Sequence, residues 1–129
     1  MPELDWDETD FIACLEVLPV IDEWEENPYF KVRRNGIVLN LLVRQYESTV
    51  VLSLTPEGQE NALISFSLVV RGGVSYVKDK RGEYLKFSNC VVVRNGFLFQ
   101  LPDVYNRDVM PEHSTLLLSI KPQIAITFH

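Results

Sequence analysis

The chain has 129 residues, 47% of them hydrophobic and 23% charged, and a formal net charge of −6. That size and composition suit one globular domain with a core of its own, read here as residues 1–129, and exclude disordered, collagen-like and disulfide-stapled classes. The acidic start, Met1-Pro2-Glu3-Leu4-Asp5-Trp6, is unlike the basic and then apolar start of a signal peptide, and no apolar run reaches the length of a membrane helix, so the expected compartment is the cytoplasm.

The charge is unevenly placed. Residues 1–28 hold ten of the 18 acids and no Lys or Arg, whereas residues 29–129 hold eight acids and all twelve Lys and Arg. Such asymmetry marks either an acidic docking arm or an acidic segment lying over a basic part of the same molecule.

In chain order, residues 1–10 read as a loose acidic lead-in. Residues 11–20 are apolar and mixed, and with Pro19 near their end they read as a strand of the main sheet. A connection follows over 21–28. From Tyr29 the apolar period is two. Segments 29–34 and 37–45 flank Asn35-Gly36, a pair that tolerates the positive φ of a type I′ turn and so signals a hairpin. The two-residue turn sets Arg34 opposite Ile37, Val32 opposite Leu39 and Phe30 opposite Leu41 on the core face. Lys31, Arg33, Asn40 and Arg44 then share the other face.

Further strands are expected at 49–54 and at 62–71, where Ala62, Ile64, Phe66, Leu68 and Val70 share a side. Gly72-Gly73 reads as a hairpin turn into 74–78. Strands at 84–87 and 90–94 follow, then a second Asn-Gly hairpin at Asn95-Gly96 into 97–101. A long irregular stretch over 102–112 precedes strands at 115–120 and 124–128. The fold class is therefore all-β: an antiparallel sandwich or barrel of nine or ten short strands, with room for one short helix. Val32-Arg33-Arg34-Asn35-Gly36-Ile37 recurs in part as Val92-Val93-Arg94-Asn95-Gly96-Phe97. Shared turn chemistry accounts for that echo without a duplicated half-domain.

Chemistry-bearing residues are sparse. The two histidines are His113 and His129, too few and wrongly spaced for a metal site. Ser114 beside His113 is no dyad, because strand neighbours point apart. Gly72-Gly73 lacks the spacing and context of a phosphate loop. Cys14 and Cys90 lie in apolar stretches and read as reduced, buried thiols. Lys31, Arg33 and Arg44 with Tyr29 could form a basic stripe, but a pI near 4.8 argues against a phosphate-binding surface.

The expected function is accordingly recognition of another protein, with a basic one as the candidate partner, and with no cofactor, no metal, no nucleic acid and no membrane. An adaptor, an inhibitor or an immunity-type module fits that description. A small-molecule-binding β-barrel is the alternative, and the reading leans away from an enzyme. Candidate binding residues are Tyr105, Arg107, Asp108, Met110 and His113, from the longest break in the strand pattern, and Trp24 from the acidic front. These are residue types and positions favoured at interfaces.

Overall fold

In a computed structural model of the chain, residues 3–20, 27–94 and 114–128 are described. One helix, α1 (Glu8–Leu15), precedes eight strands: β1 (Tyr29–Arg34), β2 (Ile37–Arg44), β3 (Thr49–Pro56), β4 (Ile64–Val70), β5 (Val74–Asp79), β6 (Gly82–Arg94), β7 (Ser114–Ser119) and β8 (Ala125–Phe128). All pair antiparallel in one sheet of order β1-β2-β3-β4-β6-β7-β8, with β5 beside the first half of β6. The sheet is open among the described residues, so the fold is sandwich-like and not a closed barrel.

The first hairpin has the expected register. Arg34 faces Ile37, Val32 faces Leu39 and Phe30 faces Leu41, and Asn35 and Gly36 both have positive φ. The alternation extends across the sheet. Leu39, Leu41, Val43, Val50, Leu52, Leu68, Leu85, Phe87, Leu116 and Leu118 are all buried on one face. Lys31, Arg33 and Arg44 are exposed on the other, and Asn40 is half-buried there beside Tyr29, whose hydroxyl it binds.

Two local expectations fail. Residues 11–20 do not form a strand. A helix over 8–15 buries Phe11, Cys14 and Leu15 on one stripe, the i, i+3, i+4 spacing that a phase through Ile12 and Pro19 conceals. Asp7 caps it by accepting from the Thr9 N–H at 2.9 Å, with Glu8 and Asp10 in the first turn, where the helix dipole favours acids. Glu16 ends it in the left-handed region, its N–H reaching the Ile12 carbonyl. Of the expected strand, only Val20 pairs, in an isolated bridge to Tyr29.

Gly72-Gly73, secondly, is not a hairpin turn. The chain runs straight on from β4 to β5 along the same edge of β6, so 84–87 and 90–94 are one strand. Arg71 and Gly72 donate to Asn89 and Ser88, and Ser88 donates back to Gly73. The glycines are there because space is short: a Cβ on Gly72 would lie 2.8 Å from the Ser88 carbonyl oxygen, and Gly73 has φ +84 with the Asp5 carbonyl oxygen 3.0 Å from its Cβ position. Opposite them β6 carries a bulge between Phe87 and Cys90, with Asn89 at positive φ. Bulge and glycines together bend the sheet.

The bend brings β1 and β6 together around α1. Strands β1 and β6 are four spacings apart, about 19 Å in a flat sheet. Yet the Phe11 ring lies 5.3 Å from Phe30 of β1 and 6.1 Å from Phe87 of β6, so the sheet curls over the helix. Residues 4–10, expected to be loose, are built into this arrangement. Leu4 is buried and its N–H donates to the Gln45 carbonyl, while the Asp5 carbonyl accepts from Val74. The Trp6 ring meets Phe11 edge-on at 5.0 Å. No helix among the described residues is long and apolar enough to cross a membrane.

Candidate protein-interaction surfaces

The front segment combines a buried side with a charged one. Leu4, Phe11, Cys14 and Leu15 enter the core cluster and Trp6 and Ile12 pack against it, which holds Glu3, Asp5, Asp7, Glu8 and Asp10 on a fixed scaffold. None of these five carboxylates has an ion-pair partner among the described residues. Hydrogen bonds from the Thr9 hydroxyl and backbone N–H hold the Asp7 carboxyl below its ordinary range.

At the C-terminal end of α1 the charges are matched instead. Glu16 pairs with Arg34 at the end of β1 (3.0 Å) and with Lys121 after β7 (2.6 Å). Lys121 also reaches Glu83 at 3.4 Å, and Glu83 accepts from the Tyr76 hydroxyl. That hydrogen bond comes first in pushing Tyr76 up to about 12 and in holding Glu83 below the usual carboxylate range. Lys121 is raised, first by its bond to Glu16. Burial pushes the Cys14 thiol up to about 12, aided by Glu83. Cys14 and Cys90 are both free and buried. The network clamps α1 across the seam between the two ends of the sheet. The described part of the acidic segment up to Glu16 thus docks on the inner side of the sheet, where Glu16 pairs with Arg34 and Lys121. It does not lie over the outer-face Lys31, Arg33 and Arg44 as the charge asymmetry suggested.

On the outer face, Val77 of β5, Tyr84 and Lys86 of β6, Thr115 and Leu117 of β7 and Arg81 of the β5–β6 turn surround a groove of about 300 Å³. Tyr84 donates to Asp79 at 2.5 Å, and Arg81 lies 3.6 Å from the same carboxylate. Lys86 has no ion-pair partner among the described residues.

The residues singled out in the sequence, Tyr105, Arg107, Asp108, Met110, His113 and Trp24, all lie outside the described residues, as does the Asn95-Gly96 hairpin. The groove was missed, although the outward parity of 77, 84, 86 and 117 follows from strand alternation once β5, β6 and β7 are known neighbours. Among the described residues there is no group of three His, Cys, Asp or Glu able to hold a metal ion, and every buried side-chain polar atom has a hydrogen-bond partner.

No protein-family model matches the sequence and no curated protein matches it. Among solved structures, the chain is similar to one from a contact-dependent growth inhibition toxin–immunity protein complex from Klebsiella pneumoniae 342. The likeness has a TM-score of 0.65 at 15% identity and covers 100% of this chain and 98% of that one. At that identity it bears on the fold, which the two share from end to end.

Proposed function

We propose that the chain is an immunity-type protein, a small cytoplasmic module that neutralises a basic protein toxin by binding it through the acidic front. The observation that carries this reading is the set of five carboxylates, Glu3, Asp5, Asp7, Glu8 and Asp10, held without ion-pair partners among the described residues on a segment whose other side is core. A fixed, single-sign surface of this kind steers an oppositely charged partner and loses little entropy on binding. The end-to-end likeness to a chain from a toxin–immunity complex supports it. That complex holds both a toxin and its inhibitor, and a net charge of −6 favours the inhibitor's part when the partner is basic.

The test is growth protection with a binding readout. The chain is expressed in cells exposed to basic toxin domains of contact-dependent growth inhibition systems, and each purified pair is titrated by calorimetry. A tight one-to-one complex and restored growth are expected. A chain that neither binds nor protects, or that itself arrests growth, would overturn the reading.

A further inference from the structure

We infer that the outer groove between β5, β6 and β7 is a second interaction site, opposite in sign to the acidic front, which docks an acidic, extended segment of another protein. This goes beyond the neutralising role proposed above and does not depend on it.

The first observation is the segregation of charge through the thickness of the sheet. Strand alternation sends Lys31, Arg33, Arg44 and Lys86 outward; Arg44 is matched by Glu47 at 2.9 Å, which leaves Lys31, Arg33 and Lys86 as the cations of this face without an ion-pair partner among the described residues. The outward strand positions of the described residues carry a single acid, Asp79, which Arg81 accompanies. A chain of net charge −6 therefore presents a positive sheet face. The acids gather with α1, which packs its Phe11 against the inward-facing Phe87 of β6. The groove is cut into the opposite face of that same strand.

The second observation is the chemistry of the groove. Lys86 supplies an ammonium without an ion-pair partner among the described residues, between the aliphatic walls of Val77 and Leu117. The Thr115 hydroxyl can donate to a carboxylate, and Arg81 adds positive charge at the rim. Asp79 cancels one of the two cations, so one net positive charge remains, enough for one carboxylate. A side chain pairing a carboxylate with aliphatic neighbours matches these walls. An extended strand also presents such side chains on one face at alternate positions.

A nucleic acid fits less well. Tyr29 and Tyr84, the outward aromatic rings of the described strands, are tied to Asn40 and Asp79, and three strands, β2 to β4, lie between the β1 cations and Lys86. Backbone tracking needs cations in a row and free rings for stacking.

The experiment titrates the full chain with a fluorescein-labelled peptide alternating glutamate and leucine. It follows anisotropy and backbone amide shifts, with a single-stranded oligonucleotide and inorganic phosphate as parallel probes. Expected are salt-sensitive peptide binding, shifts centred on Val77, Lys86 and Leu117, and a loss of about tenfold or more in affinity for Lys86→Glu and for Arg81→Glu. Both variants should keep the parent's amide spectrum elsewhere, the acidic front included, which separates this site from the front. Failure of the peptide to bind, an unchanged affinity in folded Lys86→Glu, tighter binding of the oligonucleotide, or displacement of the peptide by millimolar phosphate would each overturn the proposal.

Discussion

Gly36 and Gly72 both lie at a junction between strands, yet each is glycine for a different reason. Gly36 has φ +77 with nothing within 4 Å of where a Cβ would stand. Alanine there meets only the backbone penalty of the left-handed region, about 1 kcal/mol. Gly72 needs no positive φ, but its Cβ would sit 2.8 Å from a backbone oxygen of β6. That oxygen belongs to a hydrogen-bonded ladder and cannot swing aside as a side chain could. Gly72→Ala should therefore cost about 2–3 kcal/mol, in the range of overpacked sites, and clearly more than Gly36→Ala. Urea midpoints measure both. Equal midpoints for the two variants would mean that β4 and β5 do not share the edge of β6.

At the scale of elements, α1 depends on its cap and on what it covers. The Asp7 carboxyl has a folded pKa below its ordinary value because Thr9 donates to it. A carboxylate shifted down contributes stability that is present above its unfolded pKa, near 4, and lost as pH falls through the lowered folded value. The melting-temperature advantage of the parent over Asp7→Asn should be present at pH 7 and shrink below pH 4. Parallel pH profiles would show that the charge of the cap contributes nothing.

The helix also carries Phe11, fully buried and in ring contact with Trp6, Phe30 and Phe87. Phe11→Ala should cost about 3–5 kcal/mol. A chain that begins at residue 17 should fail to give a cooperative unfolding transition, since both ends of the sheet close on what is missing. A cooperatively folded product of that truncation would make the front a detachable arm.

Among the described residues, the strands from 29 onward were legible because alternation and an Asn-Gly turn are local signals, and β1 and β2 follow them residue by residue. The helix was not, because it starts at Glu8 among the acids, ahead of the apolar run, and its buried stripe is only Phe11, Cys14 and Leu15. The bend at Gly72-Gly73 was not legible either: a glycine pair serves equally for a turn and for a close backbone approach, and only the position of Ser88 decides between them. The two surfaces fared differently. The acidic front is visible as a charge run, while the groove exists only after three strands separated in sequence come together.

For the whole molecule, the question is whether the acidic front acts as a field or as a set of contacts. Glu3, Asp5, Glu8 and Asp10 have no ion-pair partner to lose among the described residues, and Asp7 is set aside because it caps the helix. Neutralising Glu3, Glu8 and Asp10 to Gln, Gln and Asn leaves the buried side of the segment intact. Exposed charges of this kind contribute little to stability, and the first-turn pair only through the helix dipole. The melting temperature should therefore move by no more than a few degrees. Association with a basic partner is another matter, because three fewer charges weaken the long-range attraction that brings the two together. The association rate should fall about tenfold at low salt, with the dissociation rate changing much less. The gap between parent and variant should close as ionic strength rises and the Debye length contracts to about 3 Å at 1 M salt. Stopped-flow association at a series of salt concentrations reads this directly. A variant whose loss lies in dissociation and persists at high salt would mean that these carboxylates make desolvated contacts in the complex, and that the front is the heart of the interface instead of its guide.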